Sequence, residues 1–257
     1  MRVCLLASGS KGNAIYVESG NTRLLVDAGL AAREIDRRLA AIGVEGTSLD
    51  AVLVTHEHSD HVRGAGAVAR RYRIPVMLSH GTARPARTML GKVEAREFES
   101  SQPFTFRDLR IDPFPITHDA ADPVGFIIDS AEGRVGVATD LGIATRLVQD
   151  KLASCRILVL EFNHDEEMLV NGPYPWHLKQ RIRSRHGHLS NGESALLLED
   201  ILHGGLEAVF LAHLSEVNNH PEIALKAAAS TVSRQNVCGA RVIVGNQYQP
   251  SAAFAAC

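Results

Sequence analysis

The sequence of 257 residues predicts a layered α/β fold in which β-sheets are flanked by helices. Short β-rich runs separated by turns fill the first part of the chain, at residues 3–7, 14–18 and 24–27. Helices alternate with buried strands further on, where residues 190–202 lead into 208–212 and residues 221–233 lead into 242–245. No internal repeat or linker-like segment interrupts the pattern, so we expect one domain over residues 1–257.

The middle of the chain continues the alternation of helices and strands. Ile35, Leu39 and Ile42 are spaced as one face of an amphipathic helix, which Gly43 ends. Residues 51–55 read as a continuous apolar strand, and a helix with arginines on its solvent side then precedes a strand at 75–79. The other predicted elements are a helix at 145–152 and strands at 109–113, 125–129, 135–139 and 157–161.

The composition argues against a membrane protein and a zinc-ribbon protein. A net charge of −2 and 45% hydrophobic residues are ordinary for a globular chain. No apolar run approaches the roughly 20 residues that span a bilayer, so we expect no membrane partner. Cysteines 4, 155, 238 and 257 are too far apart for a zinc ribbon and indicate reduced thiols in a cytoplasmic protein. The 12 histidines exceed structural need and indicate metal chemistry.

The segment Thr55-His-Glu-His-Ser-Asp-His61 is the strongest functional signal in the sequence. Side chains alternate along extended backbone, so His56 and His58 should point the same way at the end of a strand. Asp60 and His61 follow where the chain turns, which places a second set of donors beside the first. Imidazole nitrogen and carboxylate oxygen are ligands that zinc and related metals accept in open catalytic sites.

Three later donors also stand at the ends of predicted strands: His118, Asp140 and His213. In this order, HxHxDH followed by His, Asp and His, the chain resembles the metallo-β-lactamase superfamily over essentially its whole length. The resemblance implies an αββα sandwich of two mixed sheets flanked by helices. It also implies that Asp27 supports the histidine loop without binding a metal ion itself.

The same resemblance implies a dinuclear metal site. One ion would be held by His56, His58 and His118, and Asp140 would bridge it to the second ion. The ligands of the second ion would be Asp60, His61 and His213. Zinc, manganese and iron all suit these donors. A hydroxide shared by two divalent ions is a strong nucleophile at neutral pH, and Asp60 counts among the catalytic residues for this reason.

Departures from other branches of the superfamily narrow the chemistry. His58 stands where oxygen-reducing diiron members carry a glutamate, and Asp140 stands where many β-lactamases carry a cysteine. Both differences argue against those activities. Glyoxalase II shares the bridging aspartate, so the ligands alone leave a thioesterase open.

Glu161 and His188 resemble a pair in ribonuclease Z and related phosphodiesterases, where a glutamate orients a histidine beside the leaving group. With the loop 8–13 and the segments 161–165, 174–175, 178–182 and 213–219, the chain is similar to the YycJ/WalJ group of bacterial DNA exonucleases. This resemblance implies a 5′-to-3′ DNA exonuclease, with nucleic acid as the partner. The structural alternative is that Glu161 only caps the next helix. The short stretch between Asp140 and Glu161 leaves no room for the cap domain of β-CASP nucleases.

The densest cationic stretch lies between those two residues and contains Lys179, Arg181 and Arg185. Such a run is usually the solvent side of a helix. Its place between two catalytic positions favours a second interpretation, in which it binds the phosphate backbone without reading bases. The sequence also leaves open a hydrolase of a cyclic phosphodiester, thioester or lactone, and a non-catalytic binding protein; it does not determine the oligomeric state.

Overall fold

The structure is a computed structural model that describes residues 1–256, and it contains two seven-stranded sheets packed face to face. In chain order, the strands of the first sheet are β1 (Arg2–Ala7), β2 (Ala14–Ser19), β3 (Thr22–Val26), β4 (Ala51–Leu53), β5 (Val76–Ser79), β6 (Ala95–Phe98) and β14 (Phe254–Ala255). Those of the second sheet are β7 (Phe104–Phe106), β8 (Leu109–Pro115), β9 (Val124–Ser130), β10 (Gly133–Ala138), β11 (Ile157–Glu161), β12 (Ala208–Ala212) and β13 (Arg241–Val244).

Helices cover the outer face of each sheet, which confirms the predicted αββα sandwich. The helices between the strands of the first sheet are α1 (Ala32–Ala41), α2 (Ser59–Val62), α3 (Ala65–Tyr72) and α4 (His80–Leu90). The later helices are α5 (Arg146–Leu152), α6 (Glu166–Asn171), α7 (Trp176–Ile182), α8 (Asn191–Ile201) and α9 (Pro221–Gln235). No helix in residues 1–256 is long and apolar enough to cross a membrane.

Both sheets change from antiparallel to parallel pairing at an equivalent place. β1, β2 and β3 pair antiparallel, as do β8, β9 and β10. From there β3, β4, β5 and β6 are parallel in the first sheet, and β10, β11, β12 and β13 are parallel in the second. Parallel strands end on the same side, so the residues that follow β3, β4, β10, β11 and β12 collect at one edge.

The core between the sheets is apolar and closed to solvent. Val26 and Leu53 from the first sheet face Phe126 and Phe210 from the second, and all four are fully buried. Burying one such side chain contributes about 1.5–3 kcal/mol to folding. This packing holds the two sheets, and hence the residues at their common edge, in fixed relative positions.

The main differences from the sequence prediction are elements that carry little apolar signal. The sequence did not predict β6, β7, β14, α4 or α6. The first three residues of β6 are exposed, so that strand lacks the alternation that marks a half-buried strand. β4 ends at Leu53, two residues before the predicted end. Cys4 and Cys155 are buried free thiols and Cys238 is a partly exposed one, whereas Cys257 lies outside the described residues.

Arg38 fastens α1 to the first sheet and to the loop after β13. Its side chain is only 5% exposed, and Nη1 donates to the carbonyls of Leu6 and Gln247, each at 2.9 Å. Nε donates to Glu34 at 2.6 Å. Glu34 also pairs with Arg37, but that guanidinium is 60% exposed.

We expect Arg38→Ala to lower the free energy of unfolding by about 2–4 kcal/mol, because two buried carbonyls lose a charged donor. Arg37→Ala removes the exposed partner of the same glutamate and should leave the unfolding midpoint almost unchanged. Urea denaturation of the two variants measures the difference. Equal midpoints for the two would show that the buried contacts of Arg38 do not stabilise the fold.

Candidate metal centre

The histidine-rich loop begins directly after β4, at the edge where the parallel strands end. β4 stops at Leu53, and the chain runs through His56 and His58 before it winds into α2, which carries Asp60 and His61. The pair His56 and His58 on extended backbone therefore lies beside the pair Asp60 and His61 on helical backbone. His56 and His61 are fully buried, so their polar atoms need partners inside the protein.

The first group of donors consists of His56, His58 and His118. Nε2 of His56 lies 3.0 Å from Nδ1 of His58, and the same Nδ1 lies 3.3 Å from Nε2 of His118. Imidazole nitrogens that face one another in this way need a proton or a cation between them. A tetrahedral ion bound at about 2.0–2.1 Å holds its nitrogen ligands about 3.3 Å apart, so the spacing fits a metal ion.

The second group consists of Asp60, His61 and His213. Oδ2 of Asp60 lies 3.5 Å from Nε2 of His61 and 3.8 Å from Nε2 of His213. His213 directly follows β12 of the second sheet, so this group joins the two sheets. Nε2 of His213 is buried and has no hydrogen-bond partner within residues 1–256, an unfavourable state that a bound cation would relieve.

Asp140 lies between the two groups. Its Oδ2 is 3.3 Å from Nε2 of His61, and its Oδ1 is 3.7 Å from Nε2 of His118. One carboxylate therefore reaches a member of each group, as a bridging ligand would. Oδ2 is also buried without a hydrogen-bond partner in the part of the chain that the structure describes. The donor set fits divalent metal ions.

Hydrogen bonds on the outer side of the rings fix which nitrogen faces inward. Nδ1 of His61 donates to Oδ2 of Asp27 at 2.8 Å. Nδ1 of His56 lies 3.0 Å from Oγ1 of Thr55, which in turn donates to Asp27 at 2.9 Å. Nδ1 of His118 lies 3.3 Å from the carbonyl of Gly187. With the proton on the outer nitrogen, each Nε2 carries a free lone pair, which is the state that a metal ligand requires. The predicted support of the histidine loop by Asp27 is therefore present.

The backbone is strained at three of the site residues. Asp27, Asp140 and His213 have φ angles of 61°, 57° and 57°, in the left-handed region that residues other than glycine rarely occupy. Each of them follows the end of a strand closely. A left-handed residue turns the chain sharply, which directs the side chain into the edge of the sheet instead of along it. Such strain costs about 1–3 kcal/mol per residue and persists where surrounding packing enforces it.

Glu161 connects His188 to the second donor group. Its Oε1 accepts from Nδ1 of His188 at 2.8 Å and from Nδ1 of His213 at 3.0 Å. Its Oε2 accepts from the amides of Leu141 and Leu189 at 2.7 and 3.2 Å. The carboxylate is thus fully engaged and does not cap a helix. The sequence predicted its contact with His188 but not its contact with His213.

Burial and neighbouring charges shift the protonation of these groups. Burial lowers the pKa of His56, and the surrounding imidazoles lower it further. Burial also opposes the charged form of His213, but Asp140 and Glu161 outweigh it and raise its pKa to about 9. Burial alone would raise the pKa of Glu161, yet His188 and His213 hold it below the usual range. Without metal, a proton on His213 balances the charge of the carboxylates. A metal ion held by Nε2 of His213 would take the place of this proton.

Three polar residues complete the site without a role predicted from the sequence. Nδ2 of Asn13 lies 3.1 Å from Nε2 of His61. The amide of His213 donates to Oγ of Ser8 at 2.6 Å, and Nδ2 of Asn163 donates to the carbonyl of His213 at 2.9 Å. All three belong to segments that the family resemblance singled out, but serine and asparagine carry no metal-ligating pattern of their own. Only their proximity in the fold reveals the contacts.

A cavity of about 300 Å³ opens beside His118 and His188. Arg181 is at its rim and pairs with Asp119 at 3.0 Å. Lys179 instead donates to the backbone carbonyl of Val170 in α6, and neither Lys179 nor Arg185 is among the residues that line the cavity. The structure therefore brings one of the three predicted basic residues to the site.

An αββα sandwich with a buried group of histidines and aspartates at its common sheet edge defines a metal-dependent hydrolase of the metallo-β-lactamase fold. The chain belongs to the beta-lactamase superfamily, whose domain model matches residues 22–213. The metallo-β-lactamase fold protein YhfI from Bacillus subtilis superimposes with a TM-score of 0.73 over 99% of both chains, at 17% sequence identity. The predicted family and fold are confirmed.

Two relatives are similar in sequence over most of the chain. The exodeoxyribonuclease YycJ of Bacillus anthracis is 33% identical over 234 residues, which cover 90% of this chain and 89% of that protein. The exodeoxyribonuclease WalJ of Streptococcus pneumoniae is 38% identical over 225 residues, which cover 86% and 84% of the two chains. The protein is therefore a metal-dependent hydrolase of this superfamily, and both of these relatives are named as exodeoxyribonucleases.

Gly29 allows the loop after β3 to pack directly against the donor segment. A Cβ atom at Gly29 would lie 1.6 Å from the carbonyl oxygen of Asp60. Gly29→Ala should therefore displace Asp60 and weaken metal binding about 10- to 100-fold, as loss of a supporting contact does elsewhere. Gly239→Ala is the matched control, because a Cβ there has nothing within 4 Å. Metal titrations of the two variants make the comparison; equal affinities would contradict the argument.

Proposed function

We propose that the protein is a DNA exonuclease that hydrolyses phosphodiesters with two bound divalent metal ions and works in the 5′-to-3′ direction. The observation that carries the proposal is the Glu161–His188 pair beside the donor groups. A histidine that a carboxylate holds next to a metal centre would supply what phosphodiester hydrolysis needs beyond the metals, a proton for the departing oxygen.

Each donor group has a defined part in this proposal. His56, His58 and His118 would hold one ion, Asp60, His61 and His213 would hold the other, and Asp140 would bridge them. Zinc, manganese or iron would suit these ligands. When bound, such ions lower the pKa of water and neutralise the charge on the phosphate.

His188 is the proposed general acid. Because Nδ1 donates to Glu161, Nε2 is the nitrogen left to give a proton to the leaving oxygen. The side chain is 21% exposed, so it is accessible to a substrate while Glu161 holds it in place from the buried side. Glu161 acts here as a positioning residue, since it reaches the reaction only through His188.

The choice of DNA rests on the relatives and on the basic stretch. Both YycJ and WalJ are named exodeoxyribonucleases and match nearly the full chain. Arg181 at the rim of the cavity, with Lys179 and Arg185 on the same segment, would bind phosphates electrostatically without reading bases. Neutralising these three side chains together should flatten the salt dependence of DNA binding.

The decisive experiment compares end-labelled single- and double-stranded DNA and RNA as substrates, with zinc, manganese or iron supplied in turn. We expect stepwise shortening of DNA from its 5′ end. Asp60→Ala should lose activity while its circular dichroism spectrum stays that of the wild type, because only a ligand is removed. Turnover of a thioester or lactone with inert phosphodiesters would contradict the proposal and favour a small-molecule hydrolase.

The role of His188 can be separated from metal binding by varying the leaving group. His188→Ala should slow DNA hydrolysis about 10²- to 10⁴-fold, since a sugar oxygen leaves poorly without a proton. Hydrolysis of bis-p-nitrophenyl phosphate, whose leaving group is stable as an anion, should fall far less. The metal content should stay that of the wild type, and His80→Ala, an exposed histidine paired with Glu97, serves as the control. Equal losses on both substrates would contradict general acid catalysis by His188.

A further inference from the structure

The cavity beside His188 is larger than a metal site requires, and most of its lining residues are not candidate metal ligands. Its volume is about 300 Å³, at the lower end of the range for small-molecule sites, which is about 300–1,000 Å³. This suits one nucleotide and is too small for a stacked pair. Besides His188, its lining includes Ser10, Tyr174, Leu178, Arg181, Ile182 and Ser215.

The position of His188 indicates which part of the substrate lies in this cavity, and this step rests on the proposed function. Hydrolysis breaks the bond between phosphorus and the 3′ oxygen of the terminal sugar. The oxygen of water ends on phosphorus, the departing 3′ oxygen takes a proton from Nε2 of His188, and the proton that water releases restores His188 for the next cycle. A group that lines the cavity and protonates the leaving oxygen must have the leaving group beside it. The cavity therefore lies on the side of the nucleotide that departs.

The walls of the cavity match the parts of a nucleotide. Tyr174, Leu178 and Ile182 are half-buried and form an apolar and aromatic side, on which a base of any sequence can stack. Ser10 and Ser215 add hydroxyl groups that suit a sugar or phosphate.

Arg181 is placed to meet a phosphate at the rim. It is paired with Asp119 at 3.0 Å, but both side chains are about 60% exposed, at 60% and 59%. An ion pair this exposed is weak, because water screens it. An incoming phosphate can therefore replace the aspartate as the partner of the guanidinium, with a bidentate geometry that favours it.

The apolar wall that Leu178 and Ile182 form is held at a fixed distance from the proton donor. The amide of His188 donates to the carbonyl of Ile182, the last residue of α7, at 2.9 Å. The turn between them closes tightly at Gly187, where a Cβ would lie 2.1 Å from the same carbonyl. The helix that carries Leu178 and Arg181 is thus fastened to the residue that would protonate the leaving group.

We infer that this cavity binds the single terminal nucleotide that departs in each cycle, with Tyr174 as its stacking platform. The cavity thereby sets the length of the released product at one nucleotide. It recognises the flat face of the base and the charge of the phosphate, so it accepts all four bases.

Calorimetric titration of the metal-loaded protein with deoxyadenosine and thymidine 5′-monophosphates tests the inference without turnover. We expect one site per chain, similar affinity for the two bases, and about tenfold weaker binding to Tyr174→Ala, the scale of one lost stacking contact. Leu178→Trp, which fills the cavity, should weaken binding as well. Trp176→Ala is the matched control, because this side chain is 64% exposed and does not line the cavity.

Product length gives an independent readout. In a single turnover on an end-labelled oligonucleotide, the first product should be a mononucleotide, and Tyr174→Ala should raise KM more than it lowers kcat. The inference is overturned if mononucleotides do not bind, if both cavity variants bind them as the wild type does, or if the first product of an active enzyme is longer. If phosphodiesters are not hydrolysed at all, the proposed function fails, and the calorimetric result alone decides whether the cavity is a nucleotide site.

Discussion

The structure depends on a balance of charge among the buried histidines and aspartates of the candidate metal centre. Five histidines and two aspartates from both sheets converge at one edge, and His56 and His61 among them have no exposure to solvent. Their nitrogens and carboxylate oxygens approach to between 3.0 and 3.8 Å. Groups of this kind are stable in a protein interior only if opposite charge lies between them. Protons on His61 and His213 can supply it in part, and divalent metal ions held by these donors would supply more.

The rest of the fold holds these charged and polar side chains at the distances that this balance of charge requires. Parallel strands bring Asp27, His56, Asp140 and His213 to the same edge, because each follows the end of such a strand. Left-handed backbone at three of these residues aims the side chains into the site, and the apolar core between the sheets stabilises the fold enough to maintain that strain. A second layer of hydrogen bonds then fixes the rings, so that the inward nitrogens keep free lone pairs.

Glu161 extends the same network towards the substrate. One oxygen of this carboxylate accepts from His213, a member of the second donor group, and from His188, the proposed proton donor. The two histidines are therefore held by a common atom. Any change in the charge on one of them alters the field at the other, because the carboxylate between them is buried. The cavity beside His188 then lies where a departing group would receive its proton.

The sequence by itself predicted the class of fold and the seven candidate donors that the structure brings together. Apolar periodicity marked the buried strands, and the spacing of His56, His58, Asp60 and His61 is local, so one segment carries the pattern. The weakly apolar elements were not predictable in this way: the exposed edge strand β6 carries no periodic signal. Only the tertiary structure decided which residues besides Asp27 support the donors and which residues shape the cavity. Ser8 and Asn13 are far along the chain from the donors that they contact, His213 and His61, and serine, asparagine or tyrosine alone implies no contact. Their roles arise from packing between segments, and packing is a property of the folded chain.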